Sequence, residues 1–471
     1  MGIMVANQIS PNAPSRRSFL RIGLGGFTSL GMPGMLRLRA QSEPAEKTAI
    51  ILVWLRGGPS HLETFDPKPN SPSDYRGPYK AIATKTTGMM ISELLPQLAG
   101  ISDRFALLRS IAHNGGGHPA GSLQMLSGDP DAPDKPGPKY PDWMSVANYF
   151  RSGDVHPLPH YVAVNPVDNY DNFVIAGSTY LGTSFDGFKV FGDPSNPQFQ
   201  VPNVGLRDQK KHQQLTERVT LARSFDSFRT AIDKSGILSS SDRFETQALA
   251  MLTSANARIA FDLSLEPTRV RERYGLHAWG QQCLMARRLV ESGVDVVTTE
   301  FDGPLCGRVA NWDDHAVNQH IFDAMKFRAP TFDQAISALI EDLYARGLDR
   351  RVLVAVGGEF GRTPRISHVA SSGGGVGSGA AGVVQPGRDH WPQAGSFLFA
   401  GGGIRTGQVI GATDKKGEEP VDRRVGPEDF LATIYAHLGI DYKEATIRDF
   451  SGRPTPIIRK GEAIKELQAQ G

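Results

Sequence analysis

The sequence predicts an α/β domain, with a mostly parallel central sheet flanked by helices on both faces. Three observations predict it. Short apolar runs rich in β-branched residues recur along the chain. Segments with helical periodicity stand between them. The runs end in glycines followed by polar residues, which is how strands end where α/β proteins place their sites. At 471 residues the chain lies at the upper limit for one core, so one large domain with excursions is expected.

The first forty residues read as an address. Arg16 and Arg17 stand in SRRSFLR, before a weakly apolar, Gly-rich stretch from Ile22 to Leu36. A basic start followed by a weak apolar region is an export signal, and the paired arginines specify the twin-arginine route. The twin-arginine machinery is therefore an expected partner, with a periplasmic or extracellular destination. An uncleaved signal would act as a tether. Residues 41–47 form a polar linker, residues 48–460 the domain, and residues 461–471 a tail.

Ala49 to Leu55 is a continuous apolar run bounded by Gly57, Gly58 and Pro59, and reads as a buried strand. Residues 95–110 give a short helix and then a second strand, FALLRS. A His- and Gly-rich loop follows and feeds a short amphipathic stretch, SLQML. Residues 131–210 are rich in Pro, Asn, Asp and Gly and are expected as surface excursions that cap the site. Residues 211–262 read as mainly helical. Residues 277–292 form a helix stopped by Gly293, and Val294 to Glu300 the next strand. Residues 331–346 carry apolar positions at Phe332, Ala335, Ile336, Leu339, Ile340 and Leu343, with Thr331 and Gln334 as a capping box. RVLVAVGGEFGRTP is a strand and a Gly-bracketed polar loop. Residues 371–387 are Gly-rich and expected to move. GSFLFAGGG is another buried strand, and Pro427 opens a last amphipathic helix closed by Gly439.

A net charge of +2 without a polybasic run argues against a nucleic-acid partner. No mature segment reaches the roughly 20 apolar residues that span a bilayer. The two cysteines, Cys283 and Cys306, do not form a metal-type pair. They are either buried thiols or a disulfide.

Polar residues gather in four loops that follow predicted strands. The first holds Ser60, His61, Glu63 and Asp66, the second His113 and His118, the third Asp313, Asp314, His315 and His320. The fourth holds Glu359 and Arg362, followed at a distance by Arg388, Asp389 and His390. Imidazole with carboxylate suits a divalent transition metal. Asp313 and His315, two apart, share a face only on extended backbone. Two histidines and one carboxylate leave a coordination position open, which is the catalytic pattern. Any single loop histidine is more often a hydrogen-bonding residue than a ligand.

Taken together, WLRGGPSHLETFDPKP, ARRLVESGVDVVT, NWDDH, GGEFGRTP, GRDHW and AGGGIRTGQVIGATD resemble the domain-of-unknown-function 1501 family of exported bacterial proteins, abundant in planctomycete-like bacteria. That family is placed in the alkaline-phosphatase-like superfamily, with phosphatases and sulfatases. The resemblance spans roughly Ala49 to Asp449. It implies an alkaline-phosphatase-like fold and one divalent metal, zinc or manganese before calcium or magnesium, held by Asp313, His315 and His390. Asp314 is the alternative to Asp313. At the superfamily's second metal position Glu359 stands for an Asp and Phe360 for a His. Gly57 or Gly58 stands for the first-strand Asp, so Ser60, His61 or Asp66 would substitute as ligands. His118 falls where the superfamily has its nucleophile. No formylglycine signature is present.

Two enzyme readings follow. In one, a single metal activates water for attack on a sulfate or phosphate ester, with His118 or Glu359 as general base or extra ligand, and Arg362 or Arg388 steadying the anion. In the other, His118 is itself the nucleophile. The expected substrate is a sulfated or phosphorylated glycan or small ester. The alternative is a catalytically inactive scaffold in a polysaccharide-utilisation system, with Tyr140, Trp143, Tyr161, Tyr170 and Tyr180 offered for sugar stacking. Convergence of Asp313, His315 and His390 favours the enzyme, and Phe360 filling the cleft above them disfavours it.

Overall fold

The computed structural model describes residues 47–153, 156–202, 204, 247–303, 305, 311–375 and 377–468. Arg16 and Arg17, most of the linker and of the 211–262 segment, and Cys306 lie outside them; Cys283 is buried. From Thr48 onward the chain is one compact unit.

Eight strands build the central sheet. They are β1 (Ala49–Trp54), β2 (Phe105–Ile111), β3 (Tyr161–Val164), β4 (Phe188–Val190), β5 (Val296–Glu300), β6 (Val352–Gly357), β7 (Gly395–Gly401) and β8 (Gln408–Ile410). Their order is β8-β2-β7-β6-β1-β5-β3-β4. Neighbours pair in parallel except at β7, which runs against both β6 and β2. The sheet is thus mostly parallel, with one reversed strand inside it.

The strand residues alternate between two cores. Ile51, Val53 and Leu55 enter one apolar cluster, with Leu284, Leu289, Phe332 and Leu339. Ile50, Leu52 and Trp54 enter the other, with Trp143, Phe430, Leu431 and Ile434. The first face is covered by α3 (Ala278–Glu291) and α4 (Ile321–Ala345), the second by α1 (His118–Ser127), α2 (Trp143–Arg151) and α5 (Pro427–His437). Burial on both faces explains why β1 has no polar alternation. Each fully buried Ile, Val or Leu of this kind contributes roughly 1.5–3 kcal/mol.

Helix α4 starts earlier than its capping-box signal. Thr331 and Gln334 lie inside it, as does Pro330. The N-cap is His320, whose Nδ1 accepts from the Asp323 N–H at 3.2 Å. Histidine is not a usual cap residue, so the sequence carries no signal there. The Gly-rich segment closes on itself through Ser367–Ala370, paired antiparallel with Val384–Gly387. Among the described residues no helix is long and apolar enough to cross a membrane.

Candidate metal centre

Strands β1, β2, β5 and β6 point the same way, so the four polar loops that follow them leave one edge of the sheet. His390 reaches that edge for the opposite reason. It precedes β7, and only because β7 is reversed does its N-terminal end lie beside the C-terminal ends of the others. Gly57, with φ of +100°, makes the loops' close approach feasible. A Cβ on it would lie 2.6 Å from the Asp313 nitrogen, so any other residue would push the third loop off the first.

Four side chains converge there: His118, Asp313, His315 and His390, with one donor atom from each within 4.8 Å of the others. Asp313 Oδ1 stands 3.2 Å from His118 Nε2, 3.0 Å from His315 Nε2 and 3.4 Å from His390 Nε2. The Nε2 atoms of His315 and His390 are 3.0 Å apart. A tetrahedral zinc ion about 2.0–2.1 Å from each ligand requires ligand separations of about 3.3 Å. The four separations given above, 3.0–3.4 Å, match that size.

Each imidazole is held from behind. His118 Nδ1 donates to Glu359 Oε1 at 2.7 Å, His315 Nδ1 to Asp389 Oδ1 at 2.6 Å, and His390 Nδ1 to the Gly116 carbonyl at 2.8 Å. Such acceptors place the ring proton on Nδ1 and turn the Nε2 lone pair inward, as in metal-ligating histidines. Glu359 Oε1 also accepts from the Gly57 N–H at 2.9 Å, and His113 Nε2 donates to the Glu359 carbonyl at 2.6 Å. Buried His118 Nε2 makes no well-formed hydrogen bond. Four lone-pair donors facing one another need positive charge between them, so the donor set fits a divalent metal.

The electrostatics agree. Burial would raise Asp313, but its close contacts with the His118, His315 and His390 imidazoles and with the Arg362 guanidinium hold it far below the usual carboxylate range. Burial pulls His118 down, yet Asp313 and Glu359 lift it above its ordinary value. His315 is lifted against burial by Asp313. His390 is lowered by burial and by the neighbouring Arg362, His118 and His315 charges.

A model of the family described as "Protein of unknown function (DUF1501)" matches residues 47–468. The chain belongs to the DUF1501 family. No curated protein matches it. Among solved structures it is similar to a protein in the alkaline phosphatase superfamily from Vibrio parahaemolyticus, at 10% identity and TM-score 0.39, covering 90% of this chain and 71% of that one. It is similar to the PsFucS1 sulfatase from Pseudoalteromonas sp., at 11% identity and TM-score 0.36, covering 87% and 70%. It is also similar to the C-terminal periplasmic domain of EcEptC from Escherichia coli, solved with zinc, at 10% identity and TM-score 0.35, covering 86% and 85%.

Within this DUF1501 chain Glu359 and Arg362 border the cluster without being donors, and the remaining sequence candidates lie elsewhere. Arg362 is fully buried. Its Nε donates to the Gly58 carbonyl at 2.9 Å and Nη2 donates to Asp313 Oδ1 at 2.6 Å and to the Gly57 carbonyl. Its Nη1 also lies 3.5 Å from His315 Nε2, so the guanidinium borders the donor cluster. Arg388 is also fully buried. It donates to Glu63 at 2.8 Å and to the carbonyls of Thr363, Pro364 and Tyr75. Ser60 donates to Glu63, His61 Nε2 to the Gly417 carbonyl at 2.9 Å, and Asp66 pairs with Lys68 at 3.1 Å. Asp314 pairs with Arg328. None of these joins the four-residue cluster. His118, offered as base, ligand or nucleophile, joins it as a fourth donor.

Phe360 forms a wall, its ring 4.6 Å from that of His390 and 5.2 Å from that of His118. It does not stand between the donors. Tyr170 stacks on His118 at 3.9 Å and 10°. Trp143 is core, whereas Tyr140 and Tyr180 line a groove beside exposed Phe450. Asp313, His315 and His390 keep 20–23% of their side-chain surface exposed, so the centre opens to solvent on their side. The role of Asp389 was not assigned from sequence. Its one available signal is a carboxylate directly preceding a histidine.

Proposed function

We propose that this protein is an exported, metal-dependent hydrolase of sulfate or phosphate esters with a single divalent metal, zinc or manganese. The observation that carries it is the convergence of three anchored Nε2 atoms and one carboxylate oxygen on one point at the solvent-open edge of the sheet. Asp313, His118, His315 and His390 would hold the ion. A bound divalent ion supplies Lewis-acid polarisation and a water activated near neutral pH.

The chain's own groups do the rest. Glu359, Asp389 and the Gly116 carbonyl fix the ring orientations. Arg362 holds Asp313 against the first loop. Tyr170 and Phe360 keep water from two sides, while the side of His315 and His390 admits the ester. His118 fits a ligand better than a nucleophile, since Nδ1 is bound to Glu359 and Nε2 faces Asp313. Export rests on the Arg16–Arg17 motif.

One observation favours the scaffold reading. Four protein donors complete a tetrahedron, which is the pattern of structural zinc. The exposure of three of the four argues for a centre that can take a further ligand. Elemental analysis of the purified protein and of His390→Ala tests the proposal. About one zinc or manganese per chain is expected, lost in the variant, together with turnover of p-nitrophenyl sulfate or phosphate. A folded wild-type protein that takes up no metal would sink the hydrolase reading.

A further inference from the structure

A surface hairpin reaches the metal centre with one side chain. Asn169–Tyr170 pairs antiparallel with Phe173–Val174. Of residues 169–174, Tyr170 alone is buried. The hairpin therefore buries one ring and little else. That ring lies flat on His118, with centroids 3.9 Å apart and planes 10° apart.

The stack supplies what the hydrogen bond of His118 does not. Donation from Nδ1 to Glu359 Oε1 at 2.7 Å fixes one atom of the imidazole but not the plane of its ring. The Nε2 lone pair lies in that plane, so a tilt would turn it away from the ion. A parallel ring against the imidazole face opposes the tilt, because close-packed groups cannot pass through one another. Among the described residues, the rings beside His315 and His390 stand at 34°, 58° and 69° to them. Only His118 has a flat neighbour.

Arg56 holds the tyrosine in turn. Its Cζ lies 4.2 Å from the centroid of the Tyr170 ring, a cation–π distance. Its Nη1 donates to the Asn169 carbonyl at 2.7 Å, on the residue before the tyrosine. The guanidinium is itself fixed, with Nε 3.4 Å from Asp302 and Nη1 3.6 Å from buried Glu300. The Arg56 carbonyl accepts from the Trp312 N–H at 2.7 Å, one residue before Asp313. One arginine thus joins the first loop, the hairpin and the third loop around the donor cluster.

We propose that Tyr170 is a positioning residue: its ring, held by Arg56, fixes the plane of His118 and so aims Nε2 at the bound ion. The proposal rests on the metal centre of the hydrolase reading and asks nothing of the reaction. Zinc affinity of the full-length protein, measured by competition with a chromophoric chelator, tests it. The visible spectrum of the cobalt-loaded protein and the thermal unfolding of the metal-free form are read beside it. Tyr170→Phe keeps the aromatic face and is expected to stay within about twofold of wild type, with the same cobalt spectrum. Tyr170→Leu keeps apolar bulk without a flat face and is expected to bind zinc about tenfold more weakly, the low end for loss of an orienting partner. Its cobalt bands are expected to change with the geometry at the ion. Arg56→Lys keeps the charge beside Glu300 but not the planar group over the ring, and is expected to weaken zinc about threefold. Added to Tyr170→Leu it is expected to cost nothing further, since it acts through the ring. Equal affinity in Tyr170→Leu and wild type, or a Tyr170→Phe loss as large as that of Tyr170→Leu, overturns the proposal and leaves the metal centre standing. If Tyr170→Leu does not fold, Arg56→Lys decides: affinity and cobalt spectrum unchanged from wild type overturn it. A wild-type protein that takes up neither zinc nor cobalt overturns the metal centre and this proposal together.

Discussion

Replacing Asp389 by alanine will weaken metal binding without unfolding the protein. The Asp389 carboxylate accepts from His315 Nδ1 at 2.6 Å, and its side chain is 55% exposed. Removing such an outer partner typically costs 10- to 100-fold in metal affinity. Water can replace an exposed acceptor, so the low end applies: about tenfold, or about 1.4 kcal/mol. Glu359→Gln gives the contrast. That side chain is fully buried, and one of its oxygens accepts from both His118 Nδ1 and the Gly57 N–H. The neutral amide is the poorer acceptor and no water reaches it, so about 100-fold is expected. Metal-free protein titrated with zinc against a chromophoric chelator reads both values, and circular dichroism checks folding. An Asp389→Ala affinity within twofold of wild type, or a larger loss there than in Glu359→Gln, would refute the assignment of these carboxylates as orienting partners.

Two further outcomes follow from buried polar groups. Arg362→Met leaves Asp313 and the carbonyls of Gly57 and Gly58 without their donor. Breaking one partner of a buried pair costs about 3–5 kcal/mol, which at this chain length lowers the metal-free melting temperature by roughly 3–6 °C; an unchanged melting temperature contradicts the role given to Arg362. Burial lowers His113 to about 4, so the native protein keeps it neutral while the unfolded chain protonates near 6.5. Stability from this group is complete above pH 6.5 and is lost as pH falls toward 4, by up to about 3 kcal/mol. Denaturant titrations of wild type and His113→Gln across that window should diverge toward low pH, and parallel profiles would count against it.

The strands were legible because burial on both faces writes them as unbroken apolar runs. β1 and β2 were read from sequence almost to the residue. Strand direction was not legible. GSFLFAGGG has the same alternation and burial whichever way it runs, and the reversal of β7 follows from its pairing with β6 and β2. That reversal is what carries His390 to the edge where the donor cluster stands. The residues Asp313, His315 and His390 were drawn together from motif resemblance, whereas the anchoring of His118 by Glu359 spans two loops far apart in sequence. No local spacing records it.

The same dispersion bears on when the metal can enter. Its four donors come from the loop after β2, the loop after β5 and the segment before β7, and their orienting partners are Glu359 after β6, Asp389 before β7 and the Gly116 carbonyl. Only Asp313 and His315 among the four donors are near neighbours in sequence. An unfolded chain therefore offers only weak local pairs of ligands, and tight binding would be a property of the folded domain. Binding that discriminates so strongly between the folded and unfolded states also stabilises the fold, by about 4 kcal/mol at a thousandfold excess of free metal over its dissociation constant. On the proposed twin-arginine route, which carries folded proteins, the centre would be filled before export and the ion carried out with the domain.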